Sequence, residues 1–103
     1  MERRVVITAC SAISPIGHGR QQIVNSLLKG ISGIAPLRED ALISRFIHSR
    51  VYGTVSYPIE YDFSRQYRKT MAPVSYYACQ VAKEVLAQAE LPAEFVTGGR
   101  LGI

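Results

Sequence analysis

Cysteine and histidine are the side chains best suited to nucleophilic, acid–base or metal chemistry, and the chain has two of each. They are Cys10, Cys79, His18 and His48, which stand far apart with no spacing typical of metal ligands. Reduced cysteine is commonly buried as a small apolar side chain. The sequence therefore predicts two buried thiols and no metal site, with a disulfide between the cysteines left open.

Two serines occupy a loop that contains Gly17 and Gly19. A hydrolase serine lies on a strained G-x-S-x-G turn, and neither Ser11 nor Ser14 has those neighbours. A phosphate-binding loop needs G-x-G-x-x-G or G-x-x-x-x-G-K-[ST], and both patterns are absent from the sequence. We predict that the hydroxyls bond to the loop backbone and that no nucleotide binds here.

A cationic segment precedes the longest apolar pattern of the chain. Residues 64–69 contain Arg65, Arg68 and Lys69 and no acidic residue. A solvated basic loop is the ordinary interpretation, since scattered surface charge is common. The functional alternative is the docking of an acidic partner, which cations would attract over a distance in a manner that salt weakens.

The composition excludes several other classes of function. With 103 residues, 48% of them hydrophobic, the chain can build one modest core. The net charge of +4 comes without a long Lys/Arg run, which argues against nucleic-acid binding. No segment approaches the ~20 apolar residues of a membrane span, and the N-terminus lacks a signal-peptide pattern. We expect a cytoplasmic protein without a membrane partner.

The apolar pattern predicts the order strand, loop, helix, strand, helix, strand. The long second helix should bury a stripe that recurs at helical spacing, formed by Val74, Tyr77, Ala78, Val81, Ala82, Val85, Leu86 and Ala89. The first half of the chain should contain an interior strand at 5–8, a helix from Gln21 stopped by Gly30, and one helical turn near 41–46. A half-buried strand or hairpin arm follows at 51–57, and then the helix bounded by Pro73 and Pro92. The chain ends with a turn at Gly98 and Gly99 and a strand start at 100–103.

This order of elements favours a layered α/β fold with mostly parallel strand pairing. Three strands and two helices would leave a sheet edge bare and the sheet faces partly covered. We therefore expect residues 1–103 to be an incomplete part of a larger domain.

Four short motifs, in this order and spacing, carry a family resemblance that extends over essentially the whole chain. They are R-R-V-V-I-T at 3–8, S-P-I-G at 14–17, L-L-K-G-I-S-G-I at 27–34 and R-L-G-I at 100–103. Met71 and Tyr77 also stand where the family has them on its long helix. The chain resembles the N-terminal part of β-ketoacyl-acyl-carrier-protein synthases, the thiolase-fold condensing enzymes.

The resemblance implies a three-layer α/β/α fold, of which residues 1–103 would be an incomplete part of the N-terminal half-domain. It implies a homodimeric acyltransferase that condenses an acyl thioester with malonyl-acyl carrier protein, without a cofactor. The family's nucleophilic cysteine and its histidines lie further along the chain, so no catalytic residue is expected here. What carries over is acyl-carrier-protein docking by Arg65, Arg68 and Lys69, although Gln66 replaces a lysine and Lys69 an arginine of the family's basic stretch.

Other departures keep two alternatives open. Residues 8–11 read T-A-C-S where relatives have T-G-x-G, and Ala72 stands where aspartate is common. These changes are compatible with a non-catalytic partner subunit of the chain-length-factor type. The other alternative is an unrelated small α/β binding module.

Overall fold

The computed structural model describes residues 2–38, 45–59 and 62–102. The chain divides into two compact units. One unit is continuous, Ala12–Pro58, and the other combines Met1–Ser11 with Ile59–Ile103. Among the described residues, no helix has both the length and the apolar content required to cross a bilayer.

The continuous unit begins with a tight hairpin. Strand β1, Ile13–Ser14, pairs antiparallel with β2, Gly17–His18. The Ser14 hydroxyl donates to the carbonyl oxygen of Gly17 at 3.2 Å and accepts the Ile16 N–H at 3.3 Å. Ser14 therefore satisfies loop backbone groups, as the sequence predicts for this hydroxyl.

Helix α1, Gly19–Leu28, confirms the first predicted helix and its stop. Gly30 has φ +64°, a left-handed conformation that glycine adopts without steric cost. Its N–H donates to Leu27 O at 3.2 Å, and the Ile31 N–H donates to Ser26 O at 2.9 Å. These two bonds form a Schellman motif, which satisfies carbonyl groups that the helix end leaves unpaired.

Ser26 ties α1 to the hairpin turn that precedes it. It is a buried polar residue, and its hydroxyl donates to the carbonyl oxygen of Ile16 at 2.6 Å. By contrast, the apolar side chains of Val24, Leu27 and Leu28 on the same helix are exposed. The buried side chain of this helix is therefore polar, and Ile23 is its half-buried apolar residue.

A second hairpin completes this unit. Strand β3, Ile34–Pro36, pairs antiparallel with β4, Val51–Gly53, with Ala35 opposite Tyr52. The hairpin-arm alternative for residues 51–57 is confirmed for its first three residues, while 54–57 lie outside any strand. The helical turn predicted near 41–46 falls mostly outside the described residues.

The other unit contains three helices, α2 (Arg65–Arg68), α3 (Pro73–Ala89) and α4 (Ala93–Thr97). Helix α3 confirms the long helix predicted between Pro73 and Pro92. Helix α4 was not predicted from the sequence. It begins directly after Pro92 and carries Glu94 in its first turn, where an acidic side chain is favoured.

The burial of α3 agrees with the predicted stripe only in part. Five members of the stripe are half-buried, namely Tyr77, Val81, Val85, Leu86 and Ala89. Val74 is 72% exposed, and Ala78 and Ala82 are also exposed. The most buried residue of the helix is Tyr76, which the stripe does not include. Its burial depends on a neighbour outside the helix, because the ring that packs on Tyr76 belongs to Phe63.

Two strand predictions are wrong for the described residues. Residues 5–8 lie outside any helix or strand, and Val5, Val6 and Ile7 are 93%, 69% and 90% exposed. Residues 100–102 are likewise outside any strand. The sheets that the structure describes are two antiparallel pairs, not a parallel layer. A strand requires a hydrogen-bonded neighbour, and none of the described segments supplies one to these two.

Candidate functional site

The basic segment forms one helical turn rather than a loop. Arg65 and Arg68 are the end residues of α2, and Lys69 follows as its C-cap. Residues three and four apart lie on the same helix face, so the spacing places all three cations together. Their side chains are exposed. Within the described ranges, no carboxylate forms an ion pair with them.

The three cations border an open depression of about 360 Å³, and Tyr76 of α3 is the fourth lining residue. The site thus combines long exposed cations with one buried aromatic ring. A surface of this kind can attract an anionic macromolecule and pair with its carboxylates or phosphate groups. The cations could be identified from the sequence but Tyr76 could not, because no local pattern indicates that its side chain lies next to the basic turn.

The chain entering α2 is attached to α3 by three side-chain contacts. Lys83 Nζ lies 2.5 Å from Asp62 Oδ2 and 4.6 Å from the centroid of the Phe63 ring. The Phe63 and Tyr76 rings have centroids 5.9 Å apart and are tilted by 58°. A cation over an aromatic face and a tilted ring pair are both favourable geometries.

The hydrogen bond from Lys83, together with its positive charge, holds the pKa of the Asp62 carboxyl below its ordinary value. Because folding lowers this pKa, the Asp62–Lys83 contact stabilises the folded protein fully above the ordinary pKa, about pH 4. That stabilisation is lost as the pH falls through the lowered pKa. We expect Asp62→Asn to lower the thermal midpoint slightly at pH 7 and to make no difference at strongly acidic pH. The contact is exposed, so the effect should be small and should decrease with salt.

Thermal unfolding of both proteins across this pH range, with a carboxyl titration by NMR, provides the measurement. A difference between the two proteins that grows toward acidic pH would contradict the assigned pairing.

The residues first considered for catalysis do not assemble into a site. Cys10 is exposed, contrary to the prediction of burial, and Cys79 is half-buried on α3. Both thiols are free. The ring centroids of His18 and Tyr57 are 4.1 Å apart, so this histidine packs against an aromatic ring. His48 borders a separate depression within the continuous unit, beside Arg45 and Arg50. Among the described residues, no three His, Cys, Asp or Glu side chains could hold a metal ion together.

Ser11 has a partner that the sequence did not indicate. Its hydroxyl donates to Glu84 Oε2 at 2.6 Å, and Gln80 Nε2 donates to Glu84 Oε1 at 3.1 Å. The prediction of a bond to loop backbone is therefore wrong for Ser11, whose hydroxyl instead attaches the N-terminal segment to α3. The 73 positions between the two residues explain why no local pattern reveals the contact.

Residues 2–103 match the family model described as "Beta-ketoacyl synthase, N-terminal domain". The chain is 30% identical over 101 residues to 3-oxoacyl-[acyl-carrier-protein] synthase 1 of Haemophilus influenzae, covering 98% of this chain and 24% of that protein. It is 30% identical over 102 residues to the synthase 1 of Escherichia coli, covering 98% and 25%. It is 28% identical over 102 residues to the synthase 2 of Staphylococcus aureus, covering 98% and 24%.

The chain thus spans about a quarter of the length of the curated relatives that it matches. No solved structure matches it significantly. The family domain that matches has a thiolase-like α/β fold, and its match extends over almost the entire chain, from the exposed N-terminal segment through α4. The chain therefore belongs to the beta-ketoacyl synthase family, and its match is to the family's N-terminal domain.

Proposed function

We propose that the full-length protein carrying this chain is a 3-oxoacyl-acyl-carrier-protein synthase. It would condense an acyl thioester with malonyl-acyl carrier protein, with loss of carbon dioxide, as a homodimer with the three-layer α/β/α arrangement that the family resemblance implies. The observation that carries the proposal is the family match over residues 2–103, together with relatives whose printed names state this activity.

Within this function, residues 1–103 would form part of the N-terminal half-domain and dock the acyl carrier protein. Arg65, Arg68 and Lys69 are the residues assigned to docking. Their support is geometric and electrostatic: they share one helix face and border one depression, and no described carboxylate neutralises them. Exposed cations in this arrangement accelerate encounter with an anionic partner and then form charge-assisted hydrogen bonds.

The nucleophile of the reaction is assigned to a residue outside this chain. A catalytic thiol needs thiolate character, which a helix N-terminus or neighbouring cations can provide. Cys10 lies outside any helix or strand, and Cys79 lies within α3 rather than at its first turn. Neither position offers the helix N-terminus that would stabilise a thiolate.

The test is a condensation assay with the full-length protein, an acyl-acyl carrier protein and malonyl-acyl carrier protein, followed by mass spectrometry of the product. We expect the 3-oxoacyl product from the unaltered protein, and activity within about twofold of it from Cys10→Ala and from Cys79→Ala. Loss of condensation in either variant, with folding intact, would place the nucleophile in this chain and contradict the assignment.

A specific observation supports a second candidate, the non-catalytic partner subunit. Ala9 and Ser11 occupy the positions of family glycines, and Ser11 forms a hydrogen bond with Glu84 that glycine could not make. A subunit of this kind would form no product alone but would do so when combined with an active synthase. The remaining alternative, an unrelated small α/β module, is excluded by the family match.

A further inference from the structure

Helix α2 has few means of holding its own conformation. It is a single turn of four residues, all of them exposed, and Ser64 at its N-cap makes no side-chain capping bond. A lone turn fixes many backbone angles for few hydrogen bonds and is unstable without external contacts. The orientation of the cations that it carries must therefore depend on what the turn packs against.

Tyr76 is the buried hydrophobic side chain among the described residues, with 8% of its surface exposed. It extends from α3 into the lining of the depression formed by Arg65, Arg68 and Lys69. Its ring also contacts that of Phe63, which directly precedes the N-cap Ser64. The Tyr76 side chain therefore contacts Phe63 at the entry to α2 and also lines the depression that the cations of α2 border.

A second contact restrains the same entry. Lys83, which lies on α3 seven positions after Tyr76, pairs with Asp62 and places its ammonium group over the Phe63 ring. Asp62 and Phe63 are thus both attached to α3 immediately before the helical turn begins. The Lys83–Asp62 pair is electrostatic and exposed, whereas the contact between the Phe63 and Tyr76 rings is aromatic and packed.

We propose that Tyr76 is a positioning residue for acyl-carrier-protein docking, which holds the basic turn in place through its ring contact with Phe63 and its position in the lining of the depression. The inference rests on the proposed docking function. Its physical basis is preorganisation, because cations whose backbone is already fixed lose less conformational entropy when they bind. The aromatic contact is apolar, so its contribution should not depend on salt, unlike that of the cations.

The experiment measures affinity of the full-length protein for the acyl carrier protein between 50 and 200 mM salt, as a titration of intrinsic or labelled fluorescence. We expect Tyr76→Ala to weaken binding about tenfold at every salt concentration, with the salt dependence unchanged because all three cations remain. Tyr76→Phe keeps the ring and should bind within about twofold of the unaltered protein. In the condensation assay, KM for the carrier-protein substrate should rise in Tyr76→Ala while kcat stays the same.

Phe63→Ala provides a second variant that leaves the most buried ring in place, and it should weaken binding in the same salt-independent way. Val74→Ala is the matched control, since Val74 lies on the same helix but is 72% exposed, and it should bind normally. If charge reversal of the cations weakens binding while Tyr76→Ala and Phe63→Ala do not, docking stands and the positioning role is wrong. If charge reversal also has no effect, the docking proposal itself fails. Equal loss in Tyr76→Phe and Tyr76→Ala would also overturn the role assigned to ring packing.

Discussion

The double substitution Arg65→Glu with Lys69→Glu in the full-length protein is expected to weaken acyl-carrier-protein binding by about a hundredfold at low salt. Each reversal removes an attraction and adds a repulsion toward an anionic partner. The two side chains lie four positions apart on one helix face, so both act on the same part of that partner. The loss should be smaller at high salt, where exposed charges are screened.

Folding should be almost unaffected, because both side chains are exposed and neither makes an ion pair with a described carboxylate. The effect is measured as the dissociation constant at several salt concentrations, with thermal unfolding as the check on folding. The charge-matched control is Arg20→Glu with Lys29→Glu on and beside α1, which changes the net charge equally. An equal loss of affinity in this control would show a general charge effect, and unchanged binding at low salt in the test variant would refute docking at this site.

Gly33→Ala is expected to reduce the free energy of unfolding by about 3 kcal/mol, because there is no room for a methyl group at this position. A Cβ atom on Gly33 would lie 2.6 Å from Pro15 Cβ and 2.8 Å from the carbonyl carbon and oxygen of Pro15. Backbone atoms cannot rotate away as the end of a side chain can. Either the β1–β2 turn or the start of β3 would have to move.

Chemical denaturation of the full-length protein measures this loss, with Gly102→Ala as the control. Nothing lies within 4 Å of a Cβ at Gly102, so that variant should stay within about 0.5 kcal/mol of the unaltered protein. Gly53→Ala tests the same contact from β4, where the near atom is Pro15 Cγ at 2.8 Å.

Pro15→Ala removes Cγ but keeps Cβ and the backbone. It should therefore relieve Gly53→Ala and leave Gly33→Ala destabilised. Relief of both variants, or of neither, would contradict the packing of Pro15 described here.

The helices could be predicted closely because their signals are local. Hydrogen bonds in a helix join residues four apart, so all the residues that determine a helix lie within one segment of the chain. The apolar period of that segment and the residues at its ends, such as Gly30 or Pro73, can therefore be identified directly from the sequence. The cations Arg65, Arg68 and Lys69 could be seen in the sequence as a basic segment, but that segment was expected to be a loop. The structure places them on one helical turn, where residues three and four apart share a face.

The strands were predicted less well, because each depends on a partner elsewhere in the chain. The pattern at 51–57 could not reveal that only residues 51–53 pair, or that their partner is β3. Residues 5–8 have the β-branched composition of an interior strand, yet no described segment pairs with them. Composition expresses a preference for the extended conformation, whereas pairing depends on what lies alongside.

By itself, then, the amino-acid sequence determined the two long helices, their ends, the clustering of cations at 65–69 and the family to which the chain is similar. Only the tertiary structure decided that Tyr76 is the buried residue of α3, that Lys83 attaches the entry of α2, and that Ser11 bonds to Glu84. The physical reason is the separation in sequence between the residues that interact. Helix formation is governed by neighbours within one turn, while burial and side-chain pairing join residues that only folding brings together.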